Sequence, residues 1–383
     1  MFNIKAKQGM ARVGELTTPS GKRIKTPFFM PVATKGSVKF ITSEDLAQMG
    51  AGAVIMNSYM LSFKPGQELI KKAGGLHAFT GNDGVIFTDS GGFQMLREEL
   101  FLEITNNKVK FKNPYTLKPT WFSPETVMEL QADLGSDVAM ALDHVPAIRA
   151  DKEEIRKACA RTHLWAKRCL DHHKKLREEK GVKQLLFGIA QGGVHEDLRE
   201  ESARIISAMD FDGFAMGGLC IGETRESMYQ AITVQAKILP ENKPRYLMGV
   251  GSPEDLVEAV AHGCDCFDSI FPTQNARHGI VFTRDGAYDI KSSEFKEDFS
   301  PLDIHCSCKI CKRYSRAFIH HLFRSKEHSV YQLVSYHNLF FNQQVMRECR
   351  EHIKKGTFDT FRKEFIERYT QGSFKEKEFS EIK

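Results

Sequence analysis

Hydrophobic and polar positions sort this chain into eight short apolar runs, each closing on a polar or glycine-bearing tip. The runs are Phe28–Thr34, Gly52–Asn57, Gly84–Asp89, Asp137–Asp143, Leu185–Gln191, Gly213–Gly218, Arg245–Gly249 and Cys264–Asp268. They are rich in Val, Ile, Phe, Met and Ala, as strands buried on both faces are. Helix-compatible segments lie between them. In His195–Met209 and Arg225–Ile238 apolar residues recur every three or four positions. Thr42-Ser43-Glu44-Asp45 and Ser252-Pro253-Glu254-Asp255 read as capping boxes, and Ser123-Pro124-Glu125 as a capping Ser before a first-turn proline. Gly50 and Gly263 mark helix ends. Alternating strands and helices predict an α/β fold, and the eightfold count selects a closed (βα)8 TIM barrel over an open sheet. All tips would then meet at the carboxyl-terminal mouth, bringing Asn57, Asp89, Asp143, Gln191, Gly218 and Asp268 to one pocket.

Two segments break the alternation. Ala11–Leu16 and Lys22–Lys25 flank Pro19-Ser20-Gly21, a hairpin ahead of the first barrel strand. Phe101–Thr105 and Lys108–Lys112 flank Asn106-Asn107, a second hairpin on the mouth side of the third strand, where it would border the substrate path. The expected organisation is an N-terminal hairpin region over 1–27, then the catalytic barrel over 28–300 with an insertion near 95–122. A zinc-binding, basic helical subdomain follows over 301–383.

Composition narrows the class. Apolar content of 41% and charged content of 27% are ordinary globular values, and no apolar stretch approaches the ~18 residues of a membrane span. The start, Met1–Lys7, lacks the apolar core of a signal peptide, so a cytoplasmic location is expected. Nine cysteines, odd in number and mostly scattered, do not suggest a disulfide framework. The charge is uneven. From Pro301 onward sixteen Lys/Arg face ten Asp/Glu, whereas the remainder is nearly balanced at 38 against 39. That excess reads either as a solvated helical face or as a landing site for a polyanion such as RNA.

Three cysteines cluster as Cys306-Ser307-Cys308-Lys309-Ile310-Cys311. With one imidazole they make a complete tetrahedral set for a structural zinc, closed to substrate. His337 is one candidate for the fourth ligand, and His305, His320, His321 and His328 compete by spacing alone. At the mouth, Asp89 is followed by two glycines that permit close backbone approach to a ligand, and Asp268 lies next to the first strands across the barrel closure. One carboxylate can attack an anomeric carbon while another transfers the proton of the departing or incoming group. Asp143 and Gln191 suit the donor–acceptor edge of a planar amide heterocycle.

The runs Asp89-Ser90-Gly91-Gly92-Phe93-Gln94, Phe187–Gly192, Met216-Gly217-Gly218-Leu219, Arg245–Gly251 and Pro272–Arg277, with the cysteine cluster and His337, resemble the tRNA-guanine transglycosylase (queuine tRNA-ribosyltransferase) family. The likeness runs from about Arg12 to about Arg368, and the compact length matches the bacterial and eukaryotic branches. It selects His337 as the fourth ligand and implies one structural zinc per subunit, bound by Cys306, Cys308, Cys311 and His337. It also implies exchange of the anticodon wobble guanine of a tRNA for a 7-deazaguanine base, either 7-aminomethyl-7-deazaguanine or queuine. Asp268 matches the nucleophile and Asp89 the general acid/base. Ser90, Gly91, Gly92, Asp143, Gln191, Gly218 and Leu219 would hold the base, and Phe93 and Met248 would sandwich it. Gly249, Val250, Gly251, Ser252, Pro253, Glu254 and Asp255, with Thr273, Gln274, Asn275, Ala276 and Arg277, would flank the RNA. A homodimer is implied, one subunit catalysing while the other orients the same tRNA, and no redox or nucleotide cofactor.

Several positions depart from the common bacterial pattern: Met60, His144, Val145 and Gln274. Val145 resembles the queuine-using members, but Ile221 stands where those have glycine. The rival readings are a non-catalytic tRNA-binding paralogue, a zinc-dependent barrel hydrolase, and base exchange on another nucleic acid. Retention of both Asp89 and Asp268 opposes the first. A closed ligand set beyond the eighth strand opposes the second. The motifs near Arg277 oppose the third.

Overall fold

The computed structural model describes residues 1–96, 99–146 and 150–373, apart from the side chain of Phe93. All eight apolar runs form barrel strands: β1 (Phe28–Pro31), β2 (Ala53–Asn57), β3 (Val85–Asp89), β4 (Val138–Met140), β5 (Leu185–Ala190), β6 (Gly213–Met216), β7 (Arg245–Leu247) and β8 (Cys266–Ser269). They pair in parallel in the order β1-β8-β7-β6-β5-β4-β3-β2, and a parallel bridge between Val32 and Ile55 brings the two ends of the sheet together. Residues of alternate parity separate cleanly. Phe28, Met30, Ile55, Phe87, Phe187, Ile189 and Tyr246 fill the interior, while Phe29, Met56, Ile86, Leu186, Phe214 and Phe267 pack under the surrounding helices. Burial on both faces explains why the strands read as continuous apolar runs.

The predicted caps form in part. Thr42 and Asp45 make the capping box, and Ser123 accepts the amide of Thr126. Ser252 does not cap in the expected way: its hydroxyl donates to the Asp255 carboxylate and accepts no backbone amide of the helix. Both hairpins are present, each extended to three strands. Phe2–Gln8 joins Ala11–Thr17 and Arg23–Thr26; Pro119–Phe122 joins Phe101–Ile104 and Val109–Lys112.

The N-terminal sheet plugs the amino end of the barrel. Leu16 and Ile24 enter its interior cluster, and buried Arg12 reaches the buried carboxylate of Asp265 just before β8. Arg12 also donates to the carbonyls of Glu241 (2.7 Å) and Lys243 (2.8 Å). On the other side Asp137, before β4, accepts from Ser20 at 2.8 Å and from the amide of Ile86 at 2.9 Å.

After β8 the chain makes a further hairpin, Ile280–Thr283 with Gly286–Asp289, then the cysteine cluster, then the long helix Ser329–Lys355. That helix returns to the barrel. Gln343 donates to the Phe29 carbonyl (2.9 Å) of β1, Asn342 to that of Gly251 (2.9 Å), and Asn338 to that of Ile280 (2.9 Å). The apolar core therefore continues across residue 300, from Phe267 to Leu339 and Phe341.

Arg12→Leu should lower stability by about 3–5 kcal/mol in chemical denaturation, because the Asp265 charge loses its buried partner. Adding Asp265→Asn, which still accepts the Arg245 amide, should restore part of that loss.

Candidate active site and metal centre

The strand tips surround a cavity of about 560 Å³ at the carboxyl end of the barrel. Asn57, Asp89, Asp143, Gly218, Leu219, Met248 and Asp268 all line it. Asp268 sits within β8, opposite Met30 of β1. Its Oδ1 accepts the Tyr246 hydroxyl at 2.6 Å and the Gly249 amide at 3.0 Å. Burial raises its pKa, and those two donors oppose the rise. Tyr246 is an interior residue of β7, its ring packed against that of Phe87 and its hydroxyl on Asp268.

Asp89 ends β3 opposite Asn57 of β2, whose Nδ2 donates to its Oδ2 at 3.1 Å. Burial and then the Asp268 charge push its pKa up to about 6, against donation from Gly91, Ser90 and Gln94. Asp143 lies three residues beyond β4. There the chain leaves the ladder and its amides turn to the outer helix Lys152–Lys180: Leu142 donates to Cys169 Sγ (3.4 Å) and His144 to Thr162 Oγ1 (2.9 Å). Burial and then the Asp89 charge push Asp143 up to about 7. His144 is driven down to about 4 by burial and by Arg161, whose guanidinium donates to its Nδ1, so it is neutral at pH 7.

Glycines make these approaches possible. A Cβ on Gly91 (φ +85°) would fall 2.3 Å from that of Tyr59, and one on Gly92 2.5 Å from Asp143 Oδ1. One on Gly218 would fall 2.3 Å from Gln191 Oε1. Ser90 is fully buried, and its hydroxyl has no partner among the described residues; Gln94 Oε1 is also unpartnered. Of the two, Gln94 lines the cavity, where an orphaned acceptor suits a polar ligand, whereas Ser90 lies behind the lining.

Gln191 is placed differently from expectation. Its Nε2 donates to Asp143 at 2.6 Å, but it lines an adjoining cavity of about 220 Å³ that shares Gly218 and Ile221 with the first. Behind it stands Arg199, fully buried, which donates to the carbonyls of Gly193 (2.6 Å), Gly217 (2.8 Å) and Gly218 (3.1 Å). Burial lowers its pKa to about 10. Sequence reasoning missed Arg199, Tyr246 and Gln94. Only Tyr246 carried a signal: its inward parity demanded a partner for a buried hydroxyl.

The flanking segments are largely internal. Val250, Pro253, Thr273, Asn275 and Ala276 are buried. Gly251 is required by packing, since a Cβ there would meet that of Ser269 at 2.5 Å. Glu254 and Asp255 pair with Arg225, and burial, then Asp255, pushes Glu254 up to about 7. Gly249 (φ +84°), Gln274 and Arg277 keep access to the mouth side. The C-terminal positive excess is partly spent as well: Lys309 pairs with Asp45, Arg316 with Asp298, Arg362 with Glu258 and Arg368 with Asp285.

Cys306, Cys308, Cys311 and His337 gather with all four ligand atoms within 4.8 Å of one another, the spacing a tetrahedral ion requires. Nδ1 of His337 lies 3.6 Å from Cys308 Sγ and 3.3 Å from Cys311 Sγ. Its Nε2 donates to the Phe282 carbonyl at 2.7 Å, fixing the tautomer that turns Nδ1 to the thiols. The four residues can hold a metal ion, with every position filled by protein.

The raised carboxyls carry a stability cost at neutral pH. Between about pH 4 and 7 the folded chain binds more protons at Asp89 and Asp143 than the unfolded chain, so stability falls as pH rises through that window. Asp143→Asn should raise the melting temperature at pH 8 and flatten its decline from pH 5 upward, as followed by scanning calorimetry.

The family model described as Queuine tRNA-ribosyltransferase matches residues 7–371. The protein of that name from Bacillus subtilis (strain 168) is 43% identical over 368 residues, covering 96% of this chain and 95% of its own. Its namesake from Desulforamulus reducens is 44% identical over 96% of this chain and 98% of its own; that from Francisella tularensis subsp. tularensis is 43% identical at the same coverage. On this match, carried over nearly its whole length, the chain belongs to the queuine tRNA-ribosyltransferase family.

Proposed function

We propose that the chain exchanges the wobble guanine of a tRNA anticodon for a 7-deazaguanine base, by double displacement at ribose C1′. The observation that carries this reading is the pair Asp268 and Asp89 at one cavity. The first is held as an acceptor by Tyr246 and Gly249; the second has its pKa pushed up to about 6 by burial and by Asp268. The Asp268 carboxylate attacks C1′, forming a C1′–O bond as the C1′–N9 bond breaks. Asp89, protonated, gives its proton to departing guanine. The resulting Asp89 carboxylate takes the N9 proton of the incoming base, whose nitrogen attacks C1′ and frees Asp268. The phosphate backbone is untouched.

Asp143, with Gln191 donating to it from behind, and the backbone at Gly218 receive the edge of the base. Ser90 offers its unpartnered hydroxyl, Leu219 borders the 7-substituent, and Met248 covers one face, opposite the position proposed for Phe93. Val145 and Ile221 also line the cavity, beside Leu219, and so bear on which base enters. RNA contacts concentrate on Gly249, Gln274 and Arg277, with Ser252, Glu254 and Asp255 supporting that loop from within. One zinc ion per chain at Cys306, Cys308, Cys311 and His337 would fix the hairpin and the long helix without taking part in the reaction. A homodimer acting in the cytoplasm completes the proposal.

Asp268→Asn should lower guanine release on the order of a thousand-fold or more while the variant still binds tRNA. Asp89→Asn should cost about 10²–10⁴-fold. Tyr246→Phe removes a donor that holds down the Asp268 pKa, so the acidic limb of kcat/KM should move to higher pH. Each is checked by release of labelled guanine, with 7-aminomethyl-7-deazaguanine and queuine supplied separately as incoming base. Cys308→Ala should lose the metal, by elemental analysis, and destabilise the region from Cys306 to His337.

A further inference from the structure

We infer that the sheet inserted between β3 and β4 is a second docking face for RNA, gripping the phosphodiester strand beside the nucleotide held in the cavity. The inference rests on the RNA substrate proposed above. The middle strand of that sheet alternates strictly. Val109 and Phe111 are buried, and Phe111 packs against Tyr59, Phe63 and Phe122. Lys108, Lys110 and Lys112 alternate with them and share the opposite face. Successive lysines are spaced by two strand residues, roughly 6.8 Å, comparable to the step between neighbouring phosphates of an extended strand.

The row is held in place. Lys110 pairs with Trp121 across the sheet, and the amines of Lys108 and Lys110 lie 4.1 and 5.1 Å from the centre of its ring. The ring supports both amines while leaving N–H groups for a phosphate. At the far end Trp165 donates to the Asn106 carbonyl at 2.8 Å and Arg168 to that of Asn107 at 2.9 Å, pinning the hairpin to the outer helix. Glu103 lies opposite Lys110 on the other neighbouring strand. Even so, among the described residues no ion pair engages any of the three lysines. The row also leads to the site. The Lys112 amide donates to the Leu100 carbonyl at 2.7 Å, and Leu100 and Pro114 both line the cavity. Uncompensated cations that start at a cavity for a nucleotide and run outward at phosphate spacing fit a polyanionic strand.

The test uses the full chain and an anticodon stem-loop RNA with a wobble guanosine. In the triple variant Lys108→Gln, Lys110→Gln, Lys112→Gln, affinity at about 0.1 M salt should fall at least about tenfold, and the slope of log K against log salt should shrink by about two. KM for RNA should rise with the loss of affinity while kcat is kept. Trp121→Ala should give part of this effect and Trp121→Phe little of it. A matched triple, Lys174→Gln, Lys175→Gln, Lys180→Gln, removes equal charge at the amino end of the barrel. Equal losses from both triples, or no change from the first, would overturn the inference, as would a native chain that binds no RNA. Binding that depends on the row in a chain that releases no guanine would uphold the docking face and sink the exchange reaction instead.

Discussion

Repulsion among Asp89, Asp143 and Asp268 is the constraint around which the barrel mouth is arranged. Three carboxyl groups share one cavity; burial raises the pKa of each, the Asp268 charge adds to the rise at Asp89, and the Asp89 charge to that at Asp143. Different surroundings separate them. Asp268 takes a hydroxyl and an amide, Asp89 an amide side chain and the backbone that follows it, and Asp143 a glutamine from behind. Closure of the sheet sets these neighbours. Pairing of β8 with β1 and of β2 with β3 fixes which tips stand side by side, and glycines at 91, 92 and 218 let side chains from other strands come within contact.

Much of this was legible in the sequence because burial on both faces leaves a strong mark. All eight apolar runs became strands, and the aspartates at their tips came together. The third strand of each small sheet was harder. Pro119–Phe122 is short and starts on proline, an edge position that resembles a loop. Phe2–Gln8 does alternate, but it contributes only Phe2 to the barrel interior. Arg199 was invisible: its partners are the carbonyls of Gly193, Gly217 and Gly218 and the Gln235 side chain, and an arginine on a helix ordinarily reads as surface. The flanking segments were legible as mouth-side loops yet not as buried ones, because glycine at 251 serves packing against Ser269 and looks the same in sequence as glycine that serves a ligand.

Charge told a similar story. The C-terminal excess suggested a landing site, but several of its cations are joined to acids elsewhere in the fold: Lys309 to Asp45, Arg362 to Glu258. Meanwhile the insertion, less basic in bulk, keeps its lysines free of such partners among the described residues. Net charge in a segment counts ions without asking what faces them, and the folded arrangement decides which ones a partner can reach.

The long helix Ser329–Lys355 gives the chain an order of assembly. It covers the outside of β1 and bonds the Phe29 carbonyl, although some three hundred residues separate Phe29 from Gln343. Arg12 likewise waits for Asp265. On a ribosome, the first strand emerges long before the strand and the helix that flank it, so the growing chain carries an unmatched edge through most of its synthesis. The ring can close only once β8 (Cys266–Ser269) has emerged, and its cover on β1 comes later still, so a message cut short before that helix encodes a barrel with one side bare.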